Sequence, residues 1–150
     1  VKRGPSREEL AGPAVREELI ARRPKEVPVR MKPVAPREGI SPLEDIHFDF
    51  DKYNLKEGSR RVLYENFRWL TSNPKTKVEI QGHADERGSD EYNLALGERR
   101  AAAARIYLRT LGIDSRRMTT ISYGEFRPVD PRHTEEAYAK NRRGHFVVIP

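Results

Sequence analysis

The chain contains no cysteine, which excludes disulfides, zinc–thiolate sites and thiol catalysis together. No apolar run approaches the roughly 20 residues that a transmembrane helix needs. The first residue is Val1, with neither Met nor a signal-like apolar stretch after it. A processed or trimmed form is therefore expected, and any targeting or lipid-bearing start would precede this sequence. A purely basic block is also missing. The 29 Lys and Arg are interleaved with 23 Asp and Glu, for a net charge of +6. That excess suits an anionic partner such as nucleic acid, anionic lipid or a cell-wall polymer. Because no stretch reads as a basic arm, nucleic acid is not expected.

What remains is enough for one modest core. Hydrophobic residues make up 36% and charged residues 35% of 150 positions, a length that suggests one domain. Residues 1–42 are rich in Pro, Arg and Glu, as in "RRPKEVPVRMKPVAPREGISP". They bury too little apolar surface to offset ordering entropy, and Pro favours an extended spacer. We read them as a flexible tether, with transient helix near Val15 to Arg23.

From residue 43 the chain is periodic. Ile46, Phe48 and Phe50 alternate with His47, Asp49 and Asp51, which predicts a strand with one buried face. Val62, Leu63, Phe67 and Leu70 recur at helical spacing until Asn73 and Pro74. Val78 and Ile80 alternate with Glu79 and Gln81 in a second strand that stops at Gly82. Leu94, Gly97, Ala101, Ala104, Leu108 and Leu111 form a helical stripe of small residues able to lie close against a sheet. Ser89 is its expected N-cap, Asp90 and Glu91 suit the first turn, and Gly112 is placed as a left-handed C-cap. Thr119, Ile121 and Tyr123 predict a third strand, Glu135 to Ala139 a short helix, and "HFVVI" the last strand. The order βαβαβ(α)β predicts an α+β, two-layer sandwich: helices packed on one face of a small mixed four-stranded sheet.

Three groups of polar residues qualify as sites. "HFDFD" presents His47, Asp49 and Asp51 along one strand face, a pattern that the solvent side of a half-covered sheet also produces. "GHADERG" places His83 and Asp85 two apart, as a metal or acid–base pair would. Further ligands, Glu86, Asp90 and Glu91, fall where solvent exposure explains them, and no serine sits in a glycine elbow. A binding reading rests on geometry. Asp85 follows a strand in a βα connection, where open α/β sheets commonly place ligands. Arg100 lies on the following helix, on one face with Asn93 about 10 Å away, and its side chain leans back toward the first turn. Asp85 and Arg100 then form either a pocket for a zwitterion or an ordinary surface ion pair. Arg99 points elsewhere, toward solvent or Glu98.

Four separated stretches carry a resemblance: "IHFDFDKYNL", "VEIQGHADERGSDEYNLALGERRAAAARIYL", "ISYGEFRP" and "EEAYAKNRRGHFVVI". In this order they resemble the C-terminal domain of the peptidoglycan-associated lipoproteins (Pal), within the OmpA-like family, over about Leu43 to Ile149. Gly144 and His145 depart from the residues that usually follow "NRR", and "PVDPRHTEEAY" departs from the usual loop. The resemblance implies non-catalytic, cofactor-free binding of peptidoglycan through the diaminopimelate of the stem peptide. Asp85 matches the family's ligand-binding Asp and Arg100 its Arg, and Asn93, Phe50, Asp51, His83 and Leu96 complete the implied site. It further implies a place at the periplasmic face of the outer membrane. The membrane is reached there through an N-terminal lipid on a cysteine absent from this chain. The implied partner is the periplasmic propeller protein TolB of the Tol–Pal system. Rival assignments are the wall-binding domain of an OmpA-type porin or flagellar stator, and a metal-dependent hydrolase using His83 and Asp85.

Overall fold

The structure is a computed structural model that describes residues 41–150. The tether expected over residues 1–42 falls almost wholly outside the described residues. In chain order the elements are β1 (Ile46–His47), α1 (Glu57–Ser72), β2 (Lys77–His83), α2 (Asp90–Leu111), a 3-10 turn (Ser115–Arg117), β3 (Met118–Gly124), α3 (Glu135–Asn141) and β4 (Arg143–Ile149). The strands form one sheet in the order β1-β4-β2-β3. β4 is antiparallel to both its neighbours, whereas β2 and β3 are parallel. The expected α+β arrangement with a mixed four-stranded sheet is the one observed.

Alternation along β2 gives the sheet two different faces. Val78 and Ile80 join Ile46, Met118 and Phe146 in a cluster with Leu63 and Leu70 of α1 and Ala101, Ala104 and Leu108 of α2. Full burial of each large aliphatic chain here contributes about 1.5–3 kcal/mol. The register places Glu79, Gln81 and Val147 on the opposite face, with Ile121 beside Gln81. These residues are buried as well. Gln81 donates to Glu79 (3.3 Å), and Gln81 Oε1 lies 3.0 Å from His83 Nε2, while His83 Nδ1 is buried without a hydrogen-bond partner. The His83 ring stacks on Tyr123.

Helix α2 is delimited as the sequence leads one to expect. Ser89 accepts from the Tyr92 N–H (3.0 Å), and Gly112, at φ 129°, ends the helix with its N–H on Leu108 and Arg109 carbonyls. The small-residue stripe lets backbone meet backbone. A Cβ on Gly82 of β2 would sit 1.7 Å from the Gly97 carbonyl oxygen of α2. This contact fixes the helix over the end of β2, and Arg100 comes three residues after it.

The first strand is shorter than its alternation suggests. Only Ile46 and His47 pair with β4, after which Phe48 N–H donates to the Arg142 carbonyl (3.0 Å) and the chain turns. Phe50 is 39% exposed and does not join Ile46 and Phe48 inside. Buried polar residues of α1 anchor this short strand. The Asn66 amide exchanges two hydrogen bonds with Glu44 backbone, and Ser59 donates to the His47 carbonyl. The unusual Gly144 is explained by β1, since a Cβ there would lie 3.1 Å from Ile46 Cγ1. His145 in turn meets Asp45 at 2.6 Å.

Candidate ligand-binding site

At the end of β2 three pieces of chain converge: the turn 49–52 after β1, the loop 84–88, and the first turns of α2. Arg100 joins them. It is fully buried, and its Nε donates to the Lys52 carbonyl (2.8 Å), Nη1 to that of His83 (2.9 Å) and Nη2 to that of Asp49 (3.0 Å). The guanidinium lies 5.0 Å from the Phe48 ring centre. Three of the five N–H donors of an arginine therefore hold backbone, including the turn in which Asp51 adopts φ 63°. Two N–H groups of the guanidinium are left over from these backbone contacts.

Among the described residues no carboxylate comes within ion-pair distance of Arg100. Burial lowers its pKa to about 10, against the raising influence of Asp85, so the group is cationic at neutral pH. A buried charge paired only with dipoles is costly, and it makes this end of the site electropositive.

Asp85, 4% exposed, forms the opposite pole. Its Oδ1 accepts from the backbone N–H (2.9 Å) and Nε (3.2 Å) of Arg87, and its Oδ2 from Arg87 Nη2 (2.9 Å) and Arg142 Nη1 (3.5 Å). Burial works against the carboxylate, but these donors hold its pKa below the usual range. Between the two poles lies a pocket of about 230 Å³, partly open to solvent.

Six of the seven residues marked in the sequence line this pocket: Phe50, Asp51, Asp85, Asn93, Leu96 and Arg100. Asp51 accepts a hydrogen bond from the Tyr92 hydroxyl. Asn93 donates to Glu125 (2.5 Å), a carboxyl whose pKa burial raises. His83 is the exception, because strand parity sends its ring to the sheet's other face. There burial, followed by the charge of Arg143, pushes its pKa well down. The contribution of His83 to the site is the carbonyl that receives Arg100. His83 and Asp85 side chains thus enter different surroundings and form no acid–base pair. Arg99 turns away from the pocket, and its guanidinium lies 5.4 Å from the Tyr53 ring centre.

Sequence reasoning missed Arg87 and Tyr92, which also line the pocket, and the contribution of α3. Arg87 is sandwiched between the rings of Phe50 (4.1 Å) and Tyr138 (4.5 Å). Tyr138 donates to Glu86 (2.7 Å), and Glu135 lies 3.6 Å from Arg87 and 3.3 Å from Arg142. The signal for Arg87 was the spacing Asp-x-Arg, in which an Asp side chain caps the N–H two residues on.

A sheet of this topology with a bipolar pocket at one strand end defines an OmpA-like domain. The family profile described as "OmpA family" matches residues 47–142. The chain is 45% identical over 98 residues to the peptidoglycan-associated lipoprotein of Pasteurella multocida (strain Pm70), covering 65% of each. It is 45% identical over 103 residues to that of Brucella melitensis biotype 1, covering 69% of this chain and 61% of the relative. It thus spans less than two thirds of the length of these curated relatives. The crystal structure of the peptidoglycan-associated lipoprotein from Burkholderia pseudomallei matches with a TM-score of 0.67 at 40% identity, over 69% of this chain and 88% of the other. The chain belongs to the OmpA family, and these relatives within it are peptidoglycan-associated lipoproteins.

Proposed function

We propose that this chain is a non-catalytic domain that binds peptidoglycan through the diaminopimelate of the stem peptide. The observation that carries the reading is that Asp85 and Arg100 bound one small pocket, each buried and of opposite charge. The far end of diaminopimelate is a free amino-acid zwitterion. Its ammonium would be accepted by Asp85, and its carboxylate by the remaining N–H groups of Arg100 beside the N-terminus of α2. The names of the relatives support the same polymer. In this reading the domain tethers the outer membrane to the wall from its periplasmic face. A lipid on a longer precursor supplies the membrane attachment, residues 1–42 the spacer, and a TolB-like propeller the protein partner within the Tol–Pal system.

The test is co-sedimentation with isolated sacculi followed by analysis of the supernatant. The protein is expected in the pellet with no soluble muropeptides released. Release of muropeptides by the protein alone would overturn the non-enzymatic reading.

A further inference from the structure

The carboxylate assigned to the ligand's ammonium already holds a cation. Arg87 grips Asp85 through its own backbone N–H, Nε and Nη2, and its side chain is 36% exposed at the mouth of the pocket. Two aromatic rings flank the guanidinium, and Glu135 stands on its outer side. We propose that Arg87 is a latch: an intramolecular competitor that occupies the ammonium position and must leave Asp85 before a ligand's amine can dock. This rests on the reading of the pocket as a diaminopimelate site.

The geometry supplies both states. In the closed state the fork of Arg87 meets both oxygens of Asp85. In the open state the guanidinium turns out to Glu135, already 3.6 Å from Nη1. The Asp85 oxygens that accept Nε and Nη2 are then released, while the backbone N–H of Arg87 and Nη1 of Arg142 stay in place to keep the carboxylate ionised. Because Arg87 is two residues from Asp85, closure costs little chain entropy, and an incoming ammonium always meets a local rival. Arg87 thereby tunes affinity for the amine and leaves recognition of the carboxylate to Arg100.

Two stem peptides, one ending in diaminopimelate and one in lysine, separate the latch from the site assignment when titrated against the full chain and its Arg87→Gln and Arg87→Lys variants. Both peptides carry an ammonium for Asp85. Arg87→Gln is therefore expected to bind each about tenfold more tightly, the scale of one partly exposed charge-assisted hydrogen bond. The gain should appear in the association rate, and the ratio between peptides should not change. Arg87→Lys, which keeps a competing cation, should stay within about threefold of the parent protein. Weaker or unchanged binding by Arg87→Gln would overturn the latch even where the parent prefers diaminopimelate. No binding of either peptide by any form would instead overturn the site assignment, and the latch with it.

Discussion

Asp85-Glu86-Arg87 and Asp114-Ser115-Arg116 fold into the same small device. In each, the Asp Oδ1 accepts from the backbone N–H and Nε two residues on, and Oδ2 accepts from Nη2. Their settings differ. Asp114 and Arg116 have side chains 45% and 89% exposed, whereas Asp85 is 4% exposed beside Arg142 and within reach of the charge of Arg100. At Asp114 the hydrogen bond from the Arg116 side chain dominates and takes the carboxyl to about 2. At Asp85 desolvation is the largest influence and opposes the donors. A local motif therefore determines the turn, and burial determines how far desolvation opposes its donors. In water, competing solvent hydrogen bonds leave such a pair with little net worth. In a half-closed pocket, where the effective dielectric is lower, the same charges act more strongly on one another.

The comparison can be broken most strongly by removing what buries the first turn. Arg100→Ala leaves the Asp49, Lys52 and His83 carbonyls without their donor and opens a cavity beside Phe48. A loss of about 3–5 kcal/mol in urea unfolding is expected, with Arg116→Ala close to the parent protein. Asp85→Asn acts less on the fold and more on the ligand. The carboxyl of Asp85 is depressed in the folded protein, so its contribution to stability is complete above the unfolded value near 4. It fades as pH falls through the folded value below that. The stability gap between parent and Asp85→Asn should accordingly close in acid, and binding of the variant to sacculi should be weak at pH 7. The smallest effect belongs to Asp114→Ala. Its stability difference should disappear between about pH 4 and 2, and its sacculus binding should equal that of the parent at every pH where both are folded.

Helix α2 was legible because its limits are local: Ser89 caps it, Gly112 ends it, and its small stripe has no other use than close packing. The same holds for β2 to β4, where alternation and turn residues agree. Strand parity would also have removed His83 from the site, since Val78 and Ile80 face the helices and place 79, 81 and 83 on the other side. Two features were not legible. β1 stops after His47 because a distant arginine captures the Asp49 and Lys52 carbonyls, and nothing near Phe50 announces this. Arg87 carries no mark of its own, because Asp-x-Arg recurs at 114–116 and 130–132 with the same hydrogen bonds, Asp130 is buried as well, and only tertiary structure shows which copy lines the pocket.

The central claim is that a buried anion and a buried cation at one strand end read a zwitterion. Calorimetric titration with stem peptides ending in diaminopimelate or in lysine tests it most directly, because only the former places a carboxylate opposite Arg100. Leaving that guanidinium without its partner costs on the order of 2–5 kcal/mol, so the diaminopimelate peptide should bind roughly 30-fold to several thousand-fold more tightly. Equal affinity for the two peptides would contradict the account.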